Sequence, residues 1–369
     1  MPINRMATRD FIKVKERNRL QSLITDQTPN SDPELIKKVR EVIMKDFAAH
    51  PDLYDPSDIE RFQKSDWTVS RFLLRKQLDA AAAAQMIIDC GKWRHRLGMP
   101  RWKDTDFPEE FYKIGAMFPY EEDKLGNTVI FVRARFYTKK LECVKDLLQR
   151  FLIHIANRVD SERDGRGMAI LFDCTGAGMA NVDMSMLWFM INEIIPHLPK
   201  GLNYVLVYQL PWILRATLSM ATKCLPADYR KLINQAGSSD VYEWIAKENL
   251  PDFMGGTCDK NYRRAPSGCK SLAELKDELG ITQDQVNAVL KVYAPYLDEA
   301  DKAMAARRKN IRRGSSKLNI WYWIKQDDST TNKSNEEDND KANNGAKTDS
   351  RKISATGKPK LDAIQDEEQ

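Results

Sequence analysis

Between Thr128 and Gln235 four short apolar runs alternate with helical ones, and this order constrains the fold more than any other feature of the chain. Thr128 to Phe136, Met168 to Phe172, Leu202 to Leu210 and Lys231 to Gln235 read as strands, the first entered through the turn Asp123-Lys124-Leu125-Gly126-Asn127. Leu141, Val144, Leu147, Leu148, Phe151, Leu152 and Ile155 recur at helical spacing. Met184 to Ile195 is apolar almost all round, which predicts a buried helix, and Trp212 to Leu225 forms another. Strands joined by helical crossovers pair in parallel, so the expected class is α/β: a mostly parallel sheet covered by helices.

The region before it is helical. Ser31-Asp32-Pro33-Glu34 reads as a helix start, followed by Leu35, Ile36, Val39, Val42, Ile43 and Phe47 at helical spacing. Ser57 with Glu60 suggests a second start, and Asp79 caps an Ala-rich helix through Trp93. The expected organisation is an extension over 1–30 with a basic helix from Thr8 to Ile24, and a helical subdomain over 31–98. The α/β unit follows over 105–258. A helical extension over 259–326 carries Arg307, Arg308, Lys309, Arg312, Arg313 and Lys317 before Trp321, Tyr322 and Trp323. From 327 to 369 polar and charged residues dominate, the composition of a disordered tail. The 318–325 segment has two readings, a strand built on the alternation of Leu318, Ile320, Tyr322 and Ile324, or a membrane-docking segment.

Several function classes fall away. Lys+Arg number 58 against 53 Asp+Glu, a balance too even for a nucleic-acid-binding surface, and no nucleic-acid partner is expected. The six Cys form no CxxC and stand apart from the four His, so no metal site assembles by spacing and free cytosolic thiols are expected. The first twenty residues lack the apolar core of a signal peptide, and no run of roughly 20 apolar residues occurs. Gly176-Ala177-Gly178 follows a strand, but a third glycine would fall at Asn181 and no strand-end acid lies about 20 residues on. His154 sits among Phe151, Leu152 and Ile155 and reads as a helix-edge residue. No catalytic constellation, cofactor site or metal site is expected.

Four local wordings occur in order. Arg71-Phe72-Leu73-Leu74-Arg75, with the Ala-rich helix ending in Trp93-Arg94, precedes Asp173-Cys174-Thr175-Gly176. Leu210-Pro211-Trp212 and then Leu250-Pro251-Asp252-Phe253-Met254-Gly255-Gly256-Thr257 complete the series. Together they resemble the CRAL-TRIO lipid-binding family. Gln209-Leu210-Pro211-Trp212 and Met254-Gly255-Gly256 are most similar to the lipid-binding half of motile-sperm-domain-containing proteins, whose further β-sandwich and membrane anchor are not found here. Phosphatidylinositol-transfer members carry an acidic-basic pair and a Lys at positions held here by Lys200, Gly201 and Leu232.

The resemblance implies a curved sheet roofed by a mobile helix, Trp212–Leu225, whose apolar face walls a lipid pocket. The bland alternative makes that helix an ordinary core element. On the family reading the ligand-binding residues are Phe131, Phe172 and Val207 from one face of the strands, Met190 from the buried helix, and Trp212, Ile213, Ala216 and Met220 from the roof. Gly255-Gly256 is expected to let the chain turn tightly. The implied function is binding and intermembrane transfer of a phospholipid or other hydrophobic ligand without chemistry. The implied setting is a cytoplasmic monomer, transiently peripheral on endomembranes including endoplasmic reticulum contacts. The alternative is an interaction scaffold that recruits a protein partner through the C-terminal tail.

Overall fold

The computed structural model describes residues 32–165 and 167–314, with side chains described through residue 305. The expected helix over Thr8–Ile24, the 318–325 segment and the tail from 327 lie outside the described residues. The chain divides into a compact unit through Met304 and a second unit from Ala305, of which residues 305–314 are described as helix.

Four helices open the first unit: α1 (Pro33–Ala49), α2 (Pro56–Lys64), α3 (Asp66–Arg75) and α4 (Ala80–Leu97). Ile36, Val39, Ile43 and Phe47 form the buried stripe of α1, and they meet Phe62, Val69, Phe72, Leu73, Ala83, Ala84 and Ile87. The small Ala side chains let α4 approach α1 closely. Two helix starts sit differently from the expected ones. Asp32, not Ser31, caps α1 by accepting from Glu34 N at 2.9 Å, and Asp55, not Ser57, caps α2 by accepting from Ser57 N at 3.0 Å. In each case Pro takes the next position, where its missing N–H has no helical acceptor to lose. Asp79 caps α4 as expected, accepting from Ala82 N at 3.0 Å.

The sheet is five-stranded, in the order β1 (Met117–Glu122), β2 (Thr128–Arg133), β3 (Met168–Asp173), β4 (Leu202–Tyr208), β5 (Ile233–Ala236). β1 pairs antiparallel with β2, and the other pairs are parallel. The parallel strands are adjacent and consecutive, so right-handed crossovers place α5 (Lys145–Glu162), α6 (Met184–Phe189) and α7 (Arg215–Cys224) on one face. That face carries Ile130, Val132, Ile170, Phe172, Val205, Val207 and Ile233 in register. The other face carries Val129, Phe131, Ala169, Leu171, Tyr204 and Leu206, packed under Val241, Trp244, Leu250 and Met254. Helix α8 (Gln283–Gly314) follows the sheet, and Leu272, Leu275, Val286, Val289 and Tyr293 are buried around it.

The motif residues of the helical unit lie at its joint with the rest of the fold. Arg71 donates through Nη2 and Nη1 to the Asp160 carboxylate at 2.6 and 3.1 Å, and through Nε to the Lys200 carbonyl at 2.5 Å. A Cβ at Gly165 would stand 2.3 Å from the Arg71 guanidinium, and one at Gly201 2.7 Å from it, so both positions stay empty for the arginine. Arg94 donates to Asp58 at 2.7 Å and to Asn157 at 3.0 Å, again reaching α5. At the other end of the domain Gly255 has φ +77, and a Cβ at Gly256 would lie 1.9 Å from the Leu250 carbonyl oxygen. The expected tight turn is there, and it has room only for glycine.

Candidate functional site

The two faces of the sheet are filled to different degrees. On the face of Phe131 the side chains of Val129, Phe131, Ala169, Leu171, Tyr204 and Leu206 are all buried. On the helix-covered face Ile130 and Met168 are buried under α5, yet Ile170, Phe172, Val205 and Ile233 are only half-buried toward β5. The elements that should seal this half are α6, the turn Met190–Ile194 and α7, and none of them holds a fully buried residue. Eight large apolar residues are exposed among the described residues, and five of them, Met179, Trp188, Trp212, Ile213 and Met220, belong to these two crossovers. The floor at Ile170, Phe172, Val205 and Ile233 is therefore covered only in part, and these two crossovers expose more large apolar side chains than any other part of the described chain.

The roof segments are held at their ends. Asp183 caps α6 by accepting from Ser185 N at 2.8 Å and also accepts from the Tyr137 hydroxyl at 2.6 Å. The Met190–Ile194 stretch is a π-turn, an inserted residue that breaks the regular helical ladder, a feature that recurs at functional sites. Its far end is tied to the helical unit: His197 stacks on Trp93 with centroids 4.6 Å apart, and its carbonyl accepts from the Cys90 thiol at 3.3 Å. Helix α7 starts after Gln209, which sits at φ +52, and its principal backbone neighbour is the turn before it. At its C-terminal end Arg230 donates to the carbonyls of Lys223 and Leu225 at 3.2 and 3.1 Å. The helix is thus held at its C-terminal end by Arg230, and none of its residues is fully buried.

Three of the sequence expectations need correction. Phe131 does not share a face with Phe172 and Val207. It is in register with Leu171 and Leu206, stacks on Phe118 at 5.2 Å and is part of the opposite core, because alternate strand residues point to opposite sides. Met184 to Ile195 is not buried: Phe189 and Ile194 pack against Trp93, Met99 and Ile153, and its residues are half-buried or exposed, Trp188 among the exposed. On the roof, Leu214 is buried and Leu218, Ala221 and Leu225 are half-buried at helical spacing, which makes them the inward stripe. Trp212, Ile213, Ala216 and Met220 are on the exposed side, Trp212 at 78% exposure. The four share a side as expected, but that side is the outer one, because apolar residues stand on both sides of the helix. Phe172 and Val207 sit on the helix-covered face, and Met190 is half-buried in the π-turn.

The groups that could do chemistry are committed to structure. The Cys174 thiol, beside the Gly176 turn, is pushed up to about 12 by burial and by the neighbouring Asp173, so it stays protonated at neutral pH. Burial likewise raises Cys90 to about 11, and all six cysteines are free. His154 is buried, not at the helix edge: its Nε2 lies 2.7 Å from Asp104 Oδ1, and Asp104 also accepts from Arg158 at 2.9 Å. The His154 hydrogen bond, with Arg158 beside it, holds the Asp104 carboxyl below its ordinary range. The turn at Gly176 offers no phosphate cradle to α6, whose first free N–H is already taken by the Asp183 carboxylate. Among the described residues no group of His, Cys, Asp and Glu could hold a metal ion, and no helix is long and apolar enough to cross a membrane. Two surface depressions of about 470 and 440 Å³ are lined by residues such as Glu121, Glu122 and Lys260, or Lys124 and Tyr242, and share no residue with that floor or the two crossovers.

The chain is similar to several known proteins. The chain is 24% identical over 337 residues to the CRAL-TRIO domain-containing protein C3H8.02 of Schizosaccharomyces pombe, covering 84% of this chain and 74% of that protein. It is 26% identical over 227 residues to the phosphatidylinositol transfer protein CSR1 of Eremothecium gossypii, covering 57% of this chain and 51% of that one. A human tyrosine-protein phosphatase, non-receptor type 9, is 23% identical over 194 residues, or 33% of its length. The crystal structure of Sfh5 superposes with a TM-score of 0.44 at 14% identity, covering 66% of this chain and 97% of that one. Residues 112–256 match the CRAL/TRIO domain, and over that stretch the chain is similar to that family.

Proposed function

We propose that the chain binds one hydrophobic lipid in a cleft between the β3–β5 half of the sheet and the roof of α6 and α7, and exchanges it at membrane surfaces without covalent chemistry. The observation that carries this reading is the incompletely covered apolar floor, Ile170, Phe172, Val205 and Ile233. Apolar walls with few polar groups suit an acyl chain, and each methylene withdrawn from water contributes about 0.8 kcal/mol. The exposed side of α7 supports the membrane step: Trp212, Ile213 and Met220 stand there with exposed Arg215 and Lys223 on the same helix. Tryptophan favours the headgroup zone, and basic residues favour an anionic leaflet.

The headgroup preference differs from that of phosphatidylinositol carriers on this reading. Gly201 makes space for Arg71 and the Lys200 carbonyl accepts from it, so these positions serve the joint between subunits of the fold. Leu232 offers its carbonyl to Val205 N at 2.9 Å and has no charge to give. The wording at Gln209–Trp212 further supports kinship with the lipid-binding half of motile-sperm-domain-containing proteins, and action as a monomer in the cytoplasm, peripheral to endomembranes. Organic extraction of the purified chain followed by mass spectrometry tests the binding. A lipid near one per chain is the expected result. A clean blank from protein purified without detergent contradicts it and favours a scaffold with a vestigial cleft.

A further inference from the structure

At the carboxyl ends of β2 and β3 three arginines converge. Arg133 closes β2; its Nε lies 3.6 Å from Asp173 Oδ2 at the end of β3, and its Nη1 donates to the Gly115 carbonyl at 3.4 Å. Arg263 packs around the same glycine, since a Cβ at Gly115 would come within 3.1 Å of Arg263 Cγ. Arg263 Nη2 donates to Glu299 Oε1 at 3.0 Å, and Arg135 Nη2 donates to the other oxygen of that carboxylate at 3.3 Å. The side chains of Arg133 and Arg263 are only 2% and 6% exposed, while Glu299 covers the group from outside at 47%.

The pairing is incomplete. Among the described residues eight buried side-chain nitrogens lack a hydrogen-bond partner, and four of them are here: Nε of Arg133, Arg135 and Arg263, and Nη1 of Arg263. Three guanidinium groups face two carboxylates, and Arg133 is stacked besides over the rings of Phe253 at 3.8 Å and Phe136 at 4.5 Å. Burial, with Arg135 and Arg263 close by, lowers Arg133 to about 10, which leaves it cationic at neutral pH. Buried donors without acceptors are rare in folded proteins, and a bound ion or water is what such groups take up.

We propose that Arg133, Arg135 and Arg263 form a site for a phosphomonoester, whose place Glu299 occupies until it is displaced. With Glu299 swung outward the cluster keeps three guanidinium groups against Asp173 alone. That excess matches a phosphomonoester, which carries about −1.5 to −2 at neutral pH. Guanidinium forks pair with phosphate oxygens two at a time, which a carboxylate bridging two arginines only partly satisfies. The outer ends of parallel strands are also where α/β sheets place ligands. The site is separate from the apolar cleft, and its success or failure leaves the cleft reading untouched.

Thermal unfolding of the full chain against inorganic phosphate, at ionic strength held constant with chloride, tests the site. The chain is expected to show a saturable rise in Tm. E299Q removes the competing carboxylate and should lower the half-saturating phosphate about fivefold, whereas R263Q should raise it about tenfold. A gain of binding in E299Q cannot be imitated by a folding defect. Flotation with phosphatidylcholine vesicles containing phosphatidic acid, lost in R263Q, would identify the phosphate as a lipid headgroup. A phosphate-dependent Tm without Arg263-dependent flotation would identify a soluble phosphate ester, and either source supports the site. No saturable shift in the unsubstituted chain or E299Q, or equal half-saturation in all three proteins, overturns it.

Discussion

Leu218→Asp in α7 is expected to lower lipid exchange between vesicles on the order of 100-fold, because it places a carboxylate where the proposed ligand needs an apolar wall. Leu218 lies on the inward stripe with Leu214, Ala221 and Leu225. No residue of this helix is fully buried, so the variant should keep its circular dichroism spectrum. Leu218→Met, which keeps an apolar side chain of similar volume, should exchange lipid like the unsubstituted chain. Trp212→Asp acts on the other side and is expected to reduce vesicle association while leaving bound lipid in place. A folded Leu218→Asp chain with undiminished exchange would remove α7 from the pocket.

Arg71→Met carries the largest expected loss of stability. It leaves Asp160 as a nearly buried carboxylate without its cation, and breaking such a pair costs about 3–5 kcal/mol. The Lys200 carbonyl loses its donor in the same change. Arg71→Met with Asp160→Leu should recover much of the loss, since an apolar pair of matching shape restores packing without stranding a charge. The urea midpoint of unfolding reads both. Equal midpoints for the single and double variants would mean that the ion pair contributes no more than packing at the joint of the helical unit.

The architecture was legible in the sequence wherever periodicity speaks. The alternation from Thr128 to Gln235 foretold the parallel strands β2 to β5 and their crossovers, and Asp79 marked the start of α4. Strand β1 left no such trace: Met117–Glu122 reads Met-Phe-Pro-Tyr-Glu-Glu, with a proline inside and no alternation, and is held as an antiparallel edge partner of β2. Face assignment across strands was out of reach, because the register that sets Phe131 against Leu171 rather than Phe172 is a tertiary fact. Which side of α7 faces inward was out of reach for a similar reason, since apolar residues stand on both sides of it. The arginine cluster was invisible for a different reason: Arg133, Arg263 and Glu299 meet only when the strand ends and α8 are folded together. By contrast the wordings at Arg71, Trp93-Arg94 and Gly255-Gly256 were visible, and their physical reason is now plain, since they form the inter-unit joint and a turn with room only for glycine.

The central claim is that the half-covered sheet face holds an acyl chain under α6 and α7. Photo-crosslinking with a phospholipid that bears a diazirine at the end of one acyl chain, followed by peptide mapping, tests it most directly. The account predicts adducts on the cleft face of β3 and β4, at Ile170, Phe172, Val205 or Val207, and on the roof at Met190, Leu218 or Ala221. Labelling confined to the exposed side of α7, or labelling around Phe131 on the opposite core, would contradict it.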